Sequence, residues 1–159
     1  SSDVCSSDLW QMVWENGCYY LIAYQDEKSP AGIRHYRVDK MAGVLVLDAP
    51  RRGKAQFAGF DLPSYLKKHF NMYGGPEHSV TLRCTADLEP AMRERFGTSP
   101  ILIPEGETHF HFTVPICVSD QFYGWVCGFG GKVEITAPAA VRSGLQEMTS
   151  RIAQAHQPV

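Results

Sequence analysis

The chain has 159 residues, 44% of them hydrophobic and 20% charged, a composition that fits one globular domain or two small ones and excludes a disordered or collagen-like chain. Its formal charge is −2, and with Asp3 and Asp8 of the N-terminal string set aside, 15 acidic groups balance 15 basic ones, so any binding of a polyanion must come from a local patch. No run approaches the roughly 18 apolar residues of a membrane span, and the start lacks the basic and apolar regions of a signal peptide.

Residues 1–9, SSDVCSSDL, have no apolar periodicity and stop abruptly against a strand pattern at Trp10. The string is identical to the translation of a common short-read sequencing adapter in this frame, and it is expected to be read-through without a fold. From Trp10 to Asp48 the pattern is of short strands, WQMVW, CYYLIAY, RHYRVDKM and GVLVLD, broken by Glu15-Asn16-Gly17 and by the polar loop QDEKSPAG. Asn-Gly between two aromatic and β-branched runs is a strong hairpin signal, and several short antiparallel strands with tight turns suggest a small barrel over residues 10–60. Alternation places Tyr20, Ile22 and Tyr24 on one face of the second strand and Tyr19, Leu21 and Ala23 on the other, so both faces are largely apolar.

A basic loop with Arg51, Arg52 and Lys54 follows, and then Asp61 as a helix cap, Pro63 in the first turn, and Leu62, Tyr65, Leu66 and Phe70 at helical spacing. This predicts a connecting helix within 61–75 that stops at Gly74-Gly75-Pro76, where a second domain, 76–159, begins. That domain reads as strand SVTLRC, helix DLEPAMRERFG, strand PILIP, strand THFHFTVPICV, helix SDQFYGWVCGFG, strand KVEITA and a last helix from Pro138. Ser119 or Asp120 can open the second of these helices, and Gly97 closes the first. The order β-α-β-β-α-β is that of the split βαβ, ferredoxin-like arrangement, followed here by a C-terminal helix. The fold class expected is therefore α+β. Its helix with Phe122, Trp125 and Phe129 should turn Trp125 toward the core.

Outside the N-terminal string the cysteines, Cys18, Cys84, Cys117 and Cys127, have no CxxC spacing and read as buried reduced thiols. His109 and His111 share a strand face, with Phe110 and Phe112 on the other, but a third metal ligand is not evident. The GFGGK turn lacks the spacing of a phosphate loop, and no nucleophile elbow, HExxH pair or Cys-His signature is present, so neither a cofactor, a metal nor an enzymatic activity is expected. The chemistry the sequence does offer is a cluster of cations, Arg34, Arg37 and Lys40, beside Tyr19, Tyr20 and Tyr24, which could stack nucleobases. Alternation puts Arg34 with Tyr36 and Val38 but His35 and Arg37 with Asp39, so the cations need not share a face.

The stretch WQMVWENGCYYLIAYQDEKSPAGIRHYRVDKM, Trp10 to Met41, resembles the central part of the WYL domain, with Tyr19 standing where that family often has Trp. FYGWVCGFGGKVEITAP resembles the C-terminal extension that accompanies WYL domains. The resemblance implies an Sm-like or SH3-like barrel entered in its middle, hence incomplete and with an open strand edge. It also implies the effector half of a bacterial, cytoplasmic transcriptional regulator, homodimeric at full length. An anionic ligand such as single-stranded nucleic acid or a nucleotide would meet Tyr20, Tyr24, Arg34, His35, Arg37 and Lys40. Lys40 occupies a place the family often fills with Arg, which keeps the charge but loses the bidentate fork. Duplex DNA would be reached only through an upstream helix-turn-helix that this sequence lacks. The alternative is a ligand-free dimerisation module.

Overall fold

A computed structural model describes residues 8–26 and 31–157; residues 1–7 of the adapter-like string and 27–30 of the polar loop lie outside the described residues. The chain parts into two compact units between Leu62 and Pro63. No helix among the described residues is long and apolar enough to cross a membrane.

In the first unit β1 (Asp8–Glu15), β2 (Cys18–Gln25) and β3 (Gly32–Arg37) form an antiparallel sheet in that order. Asn16 and Gly17 close the first hairpin with φ of 47° and 76°, the left-handed pair that a tight turn between Glu15 and Cys18 requires. β1 starts at Asp8, ahead of the expected Trp10, and the Asp8 carboxylate accepts hydrogen bonds from Arg52 N at 2.8 Å and Arg52 Nε at 3.0 Å. A register shift between Leu9 and Gln11 frees Trp10 from the ladder; its ring stacks on Phe57 at 4.9 Å, and its Nε1 donates to the Arg52 carbonyl at 2.9 Å. Phe57 belongs to a one-turn helix, α1 (Lys54–Phe57), which the basic loop did not signal.

The sheet is open, since the outer edges of β1 and β3 carry no partner strand among the described residues. This is the incomplete barrel that was expected, but the GVLVLD run is not its fourth strand. After Arg37 the strand gives way to a 3-10 turn, Val38–Lys40, closed by a bond from Met41 N to the Val38 carbonyl at 3.1 Å. Val44 to Leu47 are consequently exposed, Val46 at 95%. Strand preference in such residues is a preference for a pleated, half-buried surface, and without a neighbour it does not act.

α2 (Leu62–Lys68) begins at the junction, and the second unit continues with β4 (Glu77–Thr85), α3 (Glu89–Phe96), β5 (Ile103–Glu105), β6 (His109–Cys117), α4 (Asp120–Cys127), β7 (Val133–Ala137) and α5 (Ala139–Ala155). The sheet order β5-β6-β4-β7, antiparallel throughout, is that of a ferredoxin-like βαββαβ unit, with α5 added. Val80, Leu82 and Cys84 on β4, Phe110, Phe112, Val114 and Ile116 on β6, and Val133 and Ile135 on β7 alternate onto one face. Met92 and Phe96 of α3 and Phe122 and Val126 of α4 close that face. The Ser119 side chain caps α4 by accepting from Phe122 N.

Three local expectations are corrected. α2 ends at Lys68, short of Phe70, because Asn71 and Met72 take left-handed φ of 52° and 61° and a bridge between Phe70 and Tyr73 folds Phe70 into the core at 4% exposure. The PILIP strand is only Ile103–Glu105, which leaves Ile101 80% exposed. Among the cysteines Cys84 and Cys117 are buried, and burial pushes the Cys84 thiol up to about 12, but Cys18 is half-buried and Cys127 exposed.

His69 follows α2 at 8% exposure, with Nδ1 donating to the Tyr65 carbonyl at 2.7 Å and its ring against Tyr65. Burial holds its imidazole below the ordinary value of 6.5. The unfolded chain therefore takes up a proton near pH 6.5 that the folded unit refuses, so the stability present above that pH is lost as pH falls through it toward the lowered folded value. The denaturation midpoint should drop between about pH 7.5 and about pH 5.5, above the range where carboxylates protonate, and should drop less in His69→Asn. A midpoint that is flat over that interval in both proteins contradicts a buried neutral His69.

Candidate ligand-binding site

The cross-strand register decides which of the expected residues meet. On β2 and β3 the partners are Tyr20 and Arg37, Ile22 and His35, Ala23 and Arg34, and Tyr24 and Ile33. Directly paired residues project on the same face, and faces alternate along each strand. Tyr20, Tyr24, His35 and Arg37 therefore share one face, floored by Ile22 at 0% exposure and by Val13 of β1, which pairs with Tyr20, at 6%. All four are half-buried.

Arg34 lies on the opposite face with Leu21 and Tyr36, whose hydroxyl donates to Gln25 Oε1 at 3.2 Å. Lys40 is not on the strand at all. β3 ends at Arg37, and Lys40 sits exposed in the 3-10 turn. Of the three cations expected on the strand, Arg34 and Arg37 lie on β3 but on opposite faces, Arg37 beside His35, and Lys40 is on a different element. Tyr19 projects away from Tyr20 and meets Trp14 edge-on at 4.6 Å. Tyr24 is backed by the chain at Gly53, where a Cβ would run into its ring; Gly53 also has a left-handed φ of 77°, so this close approach depends on glycine. Backbone therefore packs closely against the base of the Tyr24 ring.

Two features were missed from sequence. Asp39 takes Arg37 in a two-point ion pair, Nε to Oδ1 at 3.0 Å and Nη2 to Oδ2 at 2.8 Å. That hydrogen bonding holds the Asp39 carboxyl below the usual carboxylate range and the Arg37 guanidinium above its own. The signal was present in RVDK, where Arg37 and Asp39 alternate onto one face. The second feature is the face opposite the site, which carries Leu9, Met12, Trp14 and Tyr19, exposed at 38%, 59%, 60% and 49%. Single-surface apolar clusters of this kind commonly mark interaction surfaces.

In the second unit His109 and His111 do face away from the core, and their partners differ. His111 Nδ1 is 2.6 Å from Glu105, which also accepts from Arg83 Nε at 2.7 Å, whereas His109 Nδ1 is 2.8 Å from Thr108 Oγ1. Among the described residues no three His, Cys, Asp or Glu side chains are grouped to hold a metal ion.

Residues 76–153 match the family model described as the WCX domain. No curated protein matches the chain at a significant level. Among solved structures, the chain is similar to proteasome accessory factor B/C of Arthrobacter aurescens, at 22% identity and a TM-score of 0.41 over 87% of this chain and 20% of that one. It is also similar to a CRISPR Cas-related protein, at 17% identity and a TM-score of 0.49 over 93% of this chain and 42% of that one. The chain thus spans less than half the length of either.

Proposed function

We propose, from the premise that residues 76–153 are a WCX domain, that the chain is the effector-sensing region of a bacterial transcriptional regulator and that the first unit binds an anionic ligand on the face of Tyr20, His35 and Arg37. Support for the regulator reading comes from the resemblance of Trp10 to Met41 to the WYL domain beside the WCX match. The observation that carries the ligand reading is the register, which sets an aromatic ring and a guanidinium opposite each other on one half-buried face with an imidazole alongside. Single-stranded nucleic acid suits the pairing of a stacking ring with a cation. The reading assigns no catalysis, places the protein in the cytoplasm, and has the whole regulator act as a homodimer on duplex DNA through a separate element.

Titration of the full chain with a labelled short oligothymidylate across several salt concentrations tests it. Arg37→Ala should weaken binding and lower the slope of log affinity against log salt by about 0.7, the share of one phosphate contact to a single strand. Tyr20→Ala should weaken binding by about 1 to 3 kcal/mol with the slope unchanged, because stacking releases no counterions. Equal weak binding by all three proteins rejects the site. The exposed apolar face of Met12, Trp14 and Tyr19 would then favour the second reading, a ligand-free interaction module.

A further inference from the structure

We infer that Asp39 is a built-in competitor for the anion site, a carboxylate that occupies Arg37 until a ligand displaces it. The inference rests on the reading of that face as an anion site and adds how the site is regulated and what it selects. Arg37 presents to Asp39 the same two-point edge, Nε and one Nη, that it would present to a phosphate or a carboxylate, and both positions are filled at 3.0 and 2.8 Å. Asp39 is therefore a ligand mimic supplied by the chain.

Its place in the fold suits displacement. Asp39 sits in the 3-10 turn Val38–Lys40, none of whose residues is buried, while Arg37 is held in the ladder opposite Tyr20. The carboxylate can swing away without disturbing the sheet. An exposed pair is screened by water, so the contact is weak enough for a ligand to break.

Selectivity follows from that exchange. A simple monocarboxylate trades one carboxylate for another on Arg37 and gains little. A phosphate group carries more oxygens and, in a strand, brings a base that can stack on Tyr20, so it gains contacts that Asp39 cannot supply. The structure points to phosphate-bearing ligands over carboxylates.

The test is equilibrium titration of the full chain with the same labelled oligothymidylate, comparing wild type with Asp39→Ala, Asp39→Asn, Arg37→Ala, the double variant Arg37→Ala/Asp39→Ala, and Asp48→Asn as a control that removes one charge from the same unit. Asp39→Ala should bind about two- to fivefold tighter, the size of a released exposed ion pair. Asp39→Asn should show a smaller gain, Asp48→Asn none, and the double variant should bind no tighter than Arg37→Ala, because the effect of Asp39 passes through Arg37. If Arg37→Ala weakens binding but Asp39→Ala matches wild type, or if Asp48→Asn gives an equal gain, the competitor is rejected and the anion site stands. If Arg37→Ala itself changes nothing, the site falls, and the competitor with it.

Discussion

Replacing Phe122 with Ala is expected to destabilise the second unit by about 3 to 5 kcal/mol, the cost of emptying a fully buried aromatic position. Phe122 is 0% exposed and stands between α4 and the sheet, with its ring 5.2 Å from Phe70 and 5.7 Å from Tyr123. Rings on several sides cannot collapse together into the space it leaves, and an unfilled cavity adds to the lost transfer energy. A loss of that size is a large part of the stability of an ordinary domain, so the urea midpoint should fall steeply. Trp125, which sequence turned toward the core, is only partly buried: it packs 5.0 Å from Phe129 and 5.7 Å from Phe96, in both cases edge-on. Trp125→Ala should therefore cost less than Phe122→Ala. Equal losses would mean that Trp125 carries as much of the core as Phe122, against its exposure.

Gly75→Ala should cost about 1 to 3 kcal/mol or more, despite adding only a methyl group. A Cβ at Gly75 would collide with the Val118 carbonyl, and the obstruction is backbone, which cannot rotate aside as a side chain can. The same junction holds the bond from Val118 N to the Pro76 carbonyl at 2.9 Å, so relief of the clash must pull β4 and the end of β6 apart where they begin to pair. Gly144→Ala is the informative contrast. Its Cβ would meet the hydroxyl end of the Tyr123 ring, a buried side chain but not backbone, and replacing a helix glycine by Ala recovers about 1 kcal/mol of propensity that offsets part of the cost. Thermal denaturation should show a clear drop for Gly75→Ala and a smaller one for Gly144→Ala, where a side chain rather than backbone must give way. A silent Gly75→Ala would contradict the close approach of these two segments.

Much of this architecture was legible because it is written in local patterns. Asn16-Gly17 specified a hairpin through the left-handed backbone both residues adopt. The alternation of Val80, Leu82 and Cys84 with Thr81 and Arg83 specified a strand with one buried face, and Ser119 marked a helix start that its side chain then caps. Within the candidate site, the separation of Arg34 from His35 and Arg37 followed from strand parity alone. The run Val44 to Leu47 misled, because its composition describes a strand but cannot supply the neighbour that a strand needs. Lys40 misled for a related reason: parity holds only while the strand lasts, and β3 ends at Arg37.

By itself, then, the sequence determined the order and type of most elements and the ferredoxin-like second unit, since these depend on periodicity, turn residues and caps that act over a few positions. The openness of the first sheet was implied only by the family resemblance. Only the tertiary structure decided which side chains meet. The register between β2 and β3 set Arg37 opposite Tyr20, and the left-handed backbone at Gly53 let the chain close over Tyr24. The turn after β3 brought Asp39 onto the Arg37 guanidinium. Such contacts depend on where a strand stops and on what the chain does next, and both are settled by the competition between pairing, turn formation and burial over the whole unit.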